Sequence, residues 1–141
     1  MNRIILSGTC AVLVLVGGLR MVQAQAKSLN DGVFTAEQAK RGAALYKEQC
    51  SACHGEDLKG NDIMPALTGA AFMMNWQGRA LSELFDKIGM TMPALDPGSL
   101  KPDQTADLVA HLLNAATYPA GSTALGSTSA ALQAIKIDPK R

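Results

Sequence analysis

The sequence predicts an all-α fold in one small domain, and three observations carry that prediction. Apolar residues recur at three- and four-residue steps in three separate stretches, the period of a helix face. Those stretches are bounded by helix start or stop chemistry. A chain of 141 residues with no internal repeat has the length of one domain. Hydrophobic residues make up 48% of the chain, an ordinary share, but aromatics only 4%, so the chain is short of bulky side chains for a core.

Residues 1–24 read as a cleaved secretory signal. Asn2 and Arg3 give a short positive region, Ile4 to Leu19 carry no charge, and Val22-Gln23-Ala24 or Ala24-Gln25-Ala26 offers a small-residue cleavage site. The apolar run is short and Gly-rich for a permanent span, although Arg20 ahead of the cut leaves an uncleaved anchor as the alternative. Thr9, where a lipoprotein signal wants Gly or Ala before the cysteine, argues against lipid attachment at Cys10. Residues 1–24 hold Arg3 and Arg20 and no acid, so without them the formal charge falls from +1 to −1. That balance excludes a nucleic-acid surface, which needs a marked basic excess. Only Cys50 and Cys53 then remain, so export brings no structural disulfide.

The mature chain divides into a main domain, 25–118, and a C-terminal extension, 119–141. Asn30-Asp31-Gly32 signals a turn. Thr35 with Gln38 forms a capping box, and Ala39, Ala43, Tyr46 and Cys50 give the first helix face. Gly42 costs that helix about 1 kcal/mol relative to Ala, which close approach of another helix would explain. Gly55 to Asp62 is a polar loop, and Pro65-Ala66-Leu67-Thr68-Gly69 is an irregular segment of the kind that crosses a ligand. Leu81, Leu84, Phe85 and Ile88 trace a second amphipathic helix with Gly89 as its terminator. Pro93 forces Met92 into an extended conformation. Pro102 opens the last clear helix, whose buried face is Leu108, Val109, Leu112 and Leu113. The extension is rich in Gly, Ser, Thr and Ala and reads as a linker or a strap, which Leu132, Ile135 and Ile137 can pin down.

Cys50-Ser51-Ala52-Cys53-His54 carries the chemistry. A C-x-x-C-H reads as a c-type haem attachment site, because two thiols three positions apart can each add to one vinyl group and the adjacent His54 can then ligate the iron. One covalent haem would also supply the apolar bulk the composition lacks. A redox dithiol leaves the adjacent histidine unexplained, and a zinc site wants four ligands where only these three and the distant His111 exist. The sixth iron position takes Met92 as its first candidate, since the extended backbone before Pro93 can reach across the haem face, with Met90 and Met64 as the others. Met73 and Met74 read as core packing. The Pro65 carbonyl can accept the other ring N–H of His54, and Leu67 lies in the same segment. Trp76 can reach a haem propionate through its N–H, and Arg79 can pair with the same group, against a packed Trp and a solvated Arg.

These residues together resemble a class I monohaem cytochrome c over nearly all of the mature length. The resemblance rests on the helix with Gly42 and Tyr46, on Cys50-Ser51-Ala52-Cys53-His54-Gly55 and on Pro65 to Gly69. Thr91-Met92-Pro93 and Val109-Ala110-His111-Leu112-Leu113 complete it. It implies a fold of three to five helices around one covalent haem, a close crossing of the first and last helices at Gly42, and Met92 as axial ligand. His111 departs from it, standing where an aromatic residue is common and so loosening the helix contact. A narrower similarity lies in Trp76, Gly78-Arg79, Leu84-Phe85, Met92-Pro93 and Tyr118-Pro119-Ala120-Gly121, which look like cytochromes accompanying bacterial quinoprotein (PQQ-dependent) alcohol dehydrogenases. It implies a periplasmic one-electron carrier and not an enzyme, taking electrons from a quinoprotein dehydrogenase and passing them to an oxidase or another cytochrome. The alternatives are a permanent haem subunit of a dehydrogenase complex, held through 119–141, and a ligand-binding or peroxidase-like protein. An evident distal acid–base pair is missing for the last.

Overall fold

The computed structural model describes residues 27–141. The expected signal, with Cys10 and Arg20, lies outside the described residues. The main helices are α1 (Ala36–Gln49), α3 (Gly69–Trp76), α4 (Leu81–Thr91) and α5 (Pro102–Ala115). Single turns form α2 (Ser51–His54) and α6 (Ser129–Leu132), and two-residue strands β1 (Lys27–Ser28) and β2 (Ile135–Lys136) pair in parallel. The fold is the expected small all-α one. Among the described residues no helix is long and apolar enough to cross a membrane.

The helix boundaries follow from local chemistry. Thr35 accepts from the Gln38 N–H while the Gln38 side chain accepts from the Thr35 N–H, the reciprocal box expected there. Pro102 occupies the first turn of α5, with Asp103 complementing the helix dipole. Gly89 does not end α4 as its sequence suggests. It faces Thr105 of α5, where a Cβ would find ordinary contact at 3.5 Å, and the helix runs on to Thr91. The stop comes from Pro93: Met92 is the cap residue, extended at φ −121° and ψ 152°, ahead of a cis Met92–Pro93 peptide.

Helices α1 and α5 make the most extensive helix contact in the domain, with Gly42 at its centre. A Cβ on Gly42 would be driven into the Asp107 carbonyl and to 2.9 Å from the His111 Cβ, so only glycine lets the backbones meet. His111 fills its place without loosening this crossing, because its ring packs on Tyr46 with centroids 5.2 Å apart. Arg41 of α1 and Asp107 of α5 close the rim with two hydrogen bonds of 2.7 Å.

The extension is laid against α4 and built into the core. Gln38 holds it to α1 by a pair of bonds to the Leu125 backbone, N–H to Oε1 at 2.6 Å and Nε2 to carbonyl at 3.0 Å. Ser129 bonds the Asp86 carboxylate, and the Ile137 backbone exchanges bonds with Gly78 and Arg79. Leu125, Leu132, Ile135 and Ile137 join Leu29, Phe34, Leu81 and Val109 in one buried cluster. Each such side chain contributes about 2 kcal/mol by leaving water. The strap reading holds, and β1–β2, which two-residue strands give no periodicity to announce, ties its end to the start of the domain.

Candidate haem site

Helix α1 ends where the attachment motif begins, so Cys50 caps α1 and starts α2. One turn of helix then places both thiols and His54 together. Cys50 is half-buried and Cys53 exposed, and both are free thiols. Burial pushes the Cys50 thiol up, and the nearby Cys53 adds to the shift, as two sulfurs sharing one space would.

His54 is only 7% exposed, and its Nδ1 lies 2.9 Å from the Pro65 carbonyl oxygen. A carbonyl can only accept, so Nδ1 carries the proton and the Nε2 lone pair is left for a metal. This is the chemistry a haem iron needs from its histidine, and two free thiols on the adjoining turn are what covalent attachment needs. The residues fit the group.

The loop between His54 and Pro65 is folded, not merely polar. The Tyr46 hydroxyl donates to the Gly55 carbonyl at 2.7 Å, with burial pushing its pKa up to about 12, so it remains a donor at ordinary pH. Gly60 N–H donates to the His54 carbonyl at 2.9 Å and Leu67 N–H to the Leu58 carbonyl at 2.8 Å. The Asn61 side chain accepts from Ile63 and Met64 and donates to Cys53. Sequence reading missed Gly60 and Asn61; Asn two residues before a further N–H donor is the turn signal that points to the second.

The structure brings Cys50 and Leu67 into a second apolar cluster with Tyr46, Leu58, Leu108 and Leu112. Ile88 of α4 packs there too, one turn before Met92, whose N–H bonds the Ile88 carbonyl at 3.0 Å. Of the three methionine candidates, Met92 and Met64 are half-buried while Met90 is 67% exposed. Met73 packs on the first cluster, but Met74 is 85% exposed and not core, because α3 turns Phe72, Met73 and Trp76 inward and Met74 to the opposite side.

Trp76 and Arg79 are held apart from the Cys50 cluster. Trp76 packs on the first cluster, 6.2 Å from the Phe72 ring. Arg79 lies over the Trp76 ring at 4.7 Å and donates twice to Glu83, at 2.6 and 2.8 Å, which holds the Glu83 carboxyl below its usual range. His111, on α5 against Tyr46, contributes to a metal cluster with no other group: among the described residues no three His, Cys, Asp or Glu side chains are placed to hold an ion by themselves.

A small all-α domain that carries C-x-x-C-H at the end of its first long helix, with the histidine oriented by a backbone carbonyl, defines a cytochrome c with covalently bound haem c. The chain belongs to the family described as cytochrome c oxidase, cbb3-type, subunit III, whose model matches residues 37–112. The matched span runs from the first turn of α1 to the buried face of α5, so it contains every candidate iron ligand. As a cytochrome c domain the matched span indicates an electron carrier. No curated protein sequence matches the chain significantly. Among solved structures it is similar to a chain in the crystal structure of the sulfane dehydrogenase SoxCD from Paracoccus pantotrophus, at a TM-score of 0.47 and 23% identity. That similarity covers 66% of this chain, which spans about half, 52%, of the other.

Proposed function

We propose that the protein is a periplasmic one-electron carrier in which Cys50 and Cys53 hold one haem c and His54 and Met92 ligate its iron. The bound haem supplies an iron that takes up and returns one electron. The chain's residues do the rest. His54 is presented in a single tautomer by the Pro65 carbonyl, so its Nε2 stays on one line. Met92 sits where α4 must end, and as an iron ligand its thioether would favour the ferrous state and keep outside ligands off the metal. Leu67, Ile88 and Cys50, packed against one apolar cluster, would give the haem an apolar wall on the protein side. The His54–Pro65 bond is the observation that supports this reading most directly.

The donor we propose is a quinoprotein dehydrogenase, on the sequence similarity running from Trp76 to Tyr118, and the acceptor an oxidase or another cytochrome. The family's description, an oxidase subunit, agrees with the second half of that route. Export of the chain behind residues 1–24 belongs to the same proposal. A permanent subunit held through 119–141 is disfavoured, since the apolar side chains of that segment are spent inside the domain.

Absorption spectra of the oxidised and reduced protein test the ligand set. The parent is expected to be low-spin and, when oxidised, to show the weak long-wavelength band of thioether ligation, which Met92→Ala loses. A band that survives in Met92→Ala assigns the ligand to Met90 or Met64. A high-spin parent leaves the sixth position open and makes ligand binding the reading to follow.

A further inference from the structure

We infer that Asn61 is a positioning residue for His54, the side chain that fixes the hydrogen bond between the imidazole and the Pro65 carbonyl. This rests on the reading of His54 as iron ligand and names what holds it in place. Asn61 Oδ1 accepts from the backbone N–H groups of Ile63 and Met64, both at 2.9 Å. Two donors on one oxygen set the amide's orientation, so Nδ2 faces the Cys53 carbonyl, at 3.3 Å. Cys53 belongs to the turn that carries the His54 donor, and Met64 directly precedes the Pro65 acceptor. One planar amide therefore joins the two sides of the bond it controls.

The backbone around it leaves little slack. Asn61 N–H bonds the Met64 carbonyl at 2.9 Å, closing the loop on itself. Gly60, at φ +64°, lies so near that a Cβ would fall 2.8 Å from the Pro65 oxygen. Gly60 thus lies close against Pro65, and Asn61 ties the preceding residue, Met64, to the Cys53 turn. Asn61 itself is exposed and fills no part of the core. Its amide can thus be removed at little packing cost, and the consequence falls on the histidine. A histidine whose outer N–H is firmly accepted is the more basic ligand and favours ferric iron, so loosening the loop raises the reduction potential.

The experiment compares the haem-loaded parent with Asn61→Ala, Asn61→Ser and Gln38→Ala. The readouts are exchange of the His54 ring N–H with solvent, followed by proton NMR in the ferrous state, and the reduction potential. Asn61→Ala is expected to speed the exchange and raise the potential by up to a tenfold change in redox equilibrium, about 59 mV for one electron. Asn61→Ser keeps an acceptor for a following N–H but cannot reach Cys53, so it should fall between. Gln38→Ala deletes two bonds to the strap, far from the site and without a change of charge; it should lower the melting temperature and move neither readout. Unchanged exchange and potential in Asn61→Ala would overturn the inference, and so would equal changes in Gln38→Ala. If Asn61→Ala does not accumulate as haem protein, Asn61→Ser is judged by the same two outcomes. Failure of the reading of His54 as ligand would show instead in the parent itself, whose ferrous proton spectrum would lack His54 ring signals shifted by the haem.

Discussion

The two apolar clusters of this domain are filled by different means. On the strap side Leu29, Phe34, Leu81, Val109, Leu132 and Ile137 are all fully buried, and the chain closes that core by itself. Beside the attachment turn only Tyr46, Leu58, Leu108 and Leu112 are buried, rimmed by half-buried Leu45, Cys50, Leu67, Ile88 and Leu100. A chain with 4% aromatic residues spends its bulk on one half. The other half would gain apolar area from the covalent haem, and Cys50, one of the two thiols we propose to hold it, packs against that cluster. Thus the strap is structural wall, and the face near α2 is where cofactor and fold depend on each other.

The hardest blow to that contrast is removal of both thiols. Cys50→Ala with Cys53→Ala should cost on the order of 5 kcal/mol, a large part of an ordinary domain's stability. Hydrogen exchange locates the damage: amides from Leu58 to Leu67 should lose protection while those of Leu81, Val109 and Ile137 keep it. Uniform loss along the chain would mean that the clusters form one cooperative unit, and the contrast would fall.

A cut on the strap side sharpens it from the other direction. Ile137→Ala removes a side chain with no exposed surface and should cost about 3 kcal/mol in chemical denaturation. The absorption spectrum and reduction potential should stay those of the parent. A shift in either would show strain passing from strap to iron through α4, which touches both clusters at Ile88.

The haem side was largely legible in the sequence, because it is made of side-chain chemistry at fixed spacing. Cys50, Cys53 and His54 declare themselves, the Thr35–Gln38 box sets the start of α1, and Pro93 sets the end of α4. Gly42 admits two readings in the sequence, a close helix approach or a surface irregularity, and the fold places it at the α1–α5 crossing. What stayed hidden depends on tertiary contact. The Ser28–Asp138 and Gln38–Leu125 ties join residues far apart in sequence, and the Gly60–Pro65 approach is set by loop geometry that no periodicity records. Gly89 misled for the same reason: its role is the neighbouring helix α5, not its own helix end. Arg79 shows a further limit, since a cation can be named from sequence while Glu83 and Trp76, which engage it here, emerge only from the fold.

The smallest effect lies on the seam that joins the two halves, at His111 on the α1–α5 crossing. Burial lowers its pKa below the usual 6.5, so the folded protein binds this proton less readily than the unfolded chain does. The charged neighbour one turn back, Asp107, is occupied by Arg41, and the Tyr46 hydroxyl titrates far above this range. The group's folded-state pKa is depressed, so its contribution is fully present above about pH 6.5 and is lost as the pH falls through the lower folded value. Melting temperature should therefore decline on mild acidification, and His111→Phe, which keeps a ring against Tyr46 but cannot take a proton, should flatten that decline. The comparison of the two slopes isolates His111 from the carboxylates that titrate at lower pH in both proteins. Parallel slopes would mean that the ring stays hydrated at the crossing, and that the helix contact rests on Gly42 and the Arg41–Asp107 pair without it.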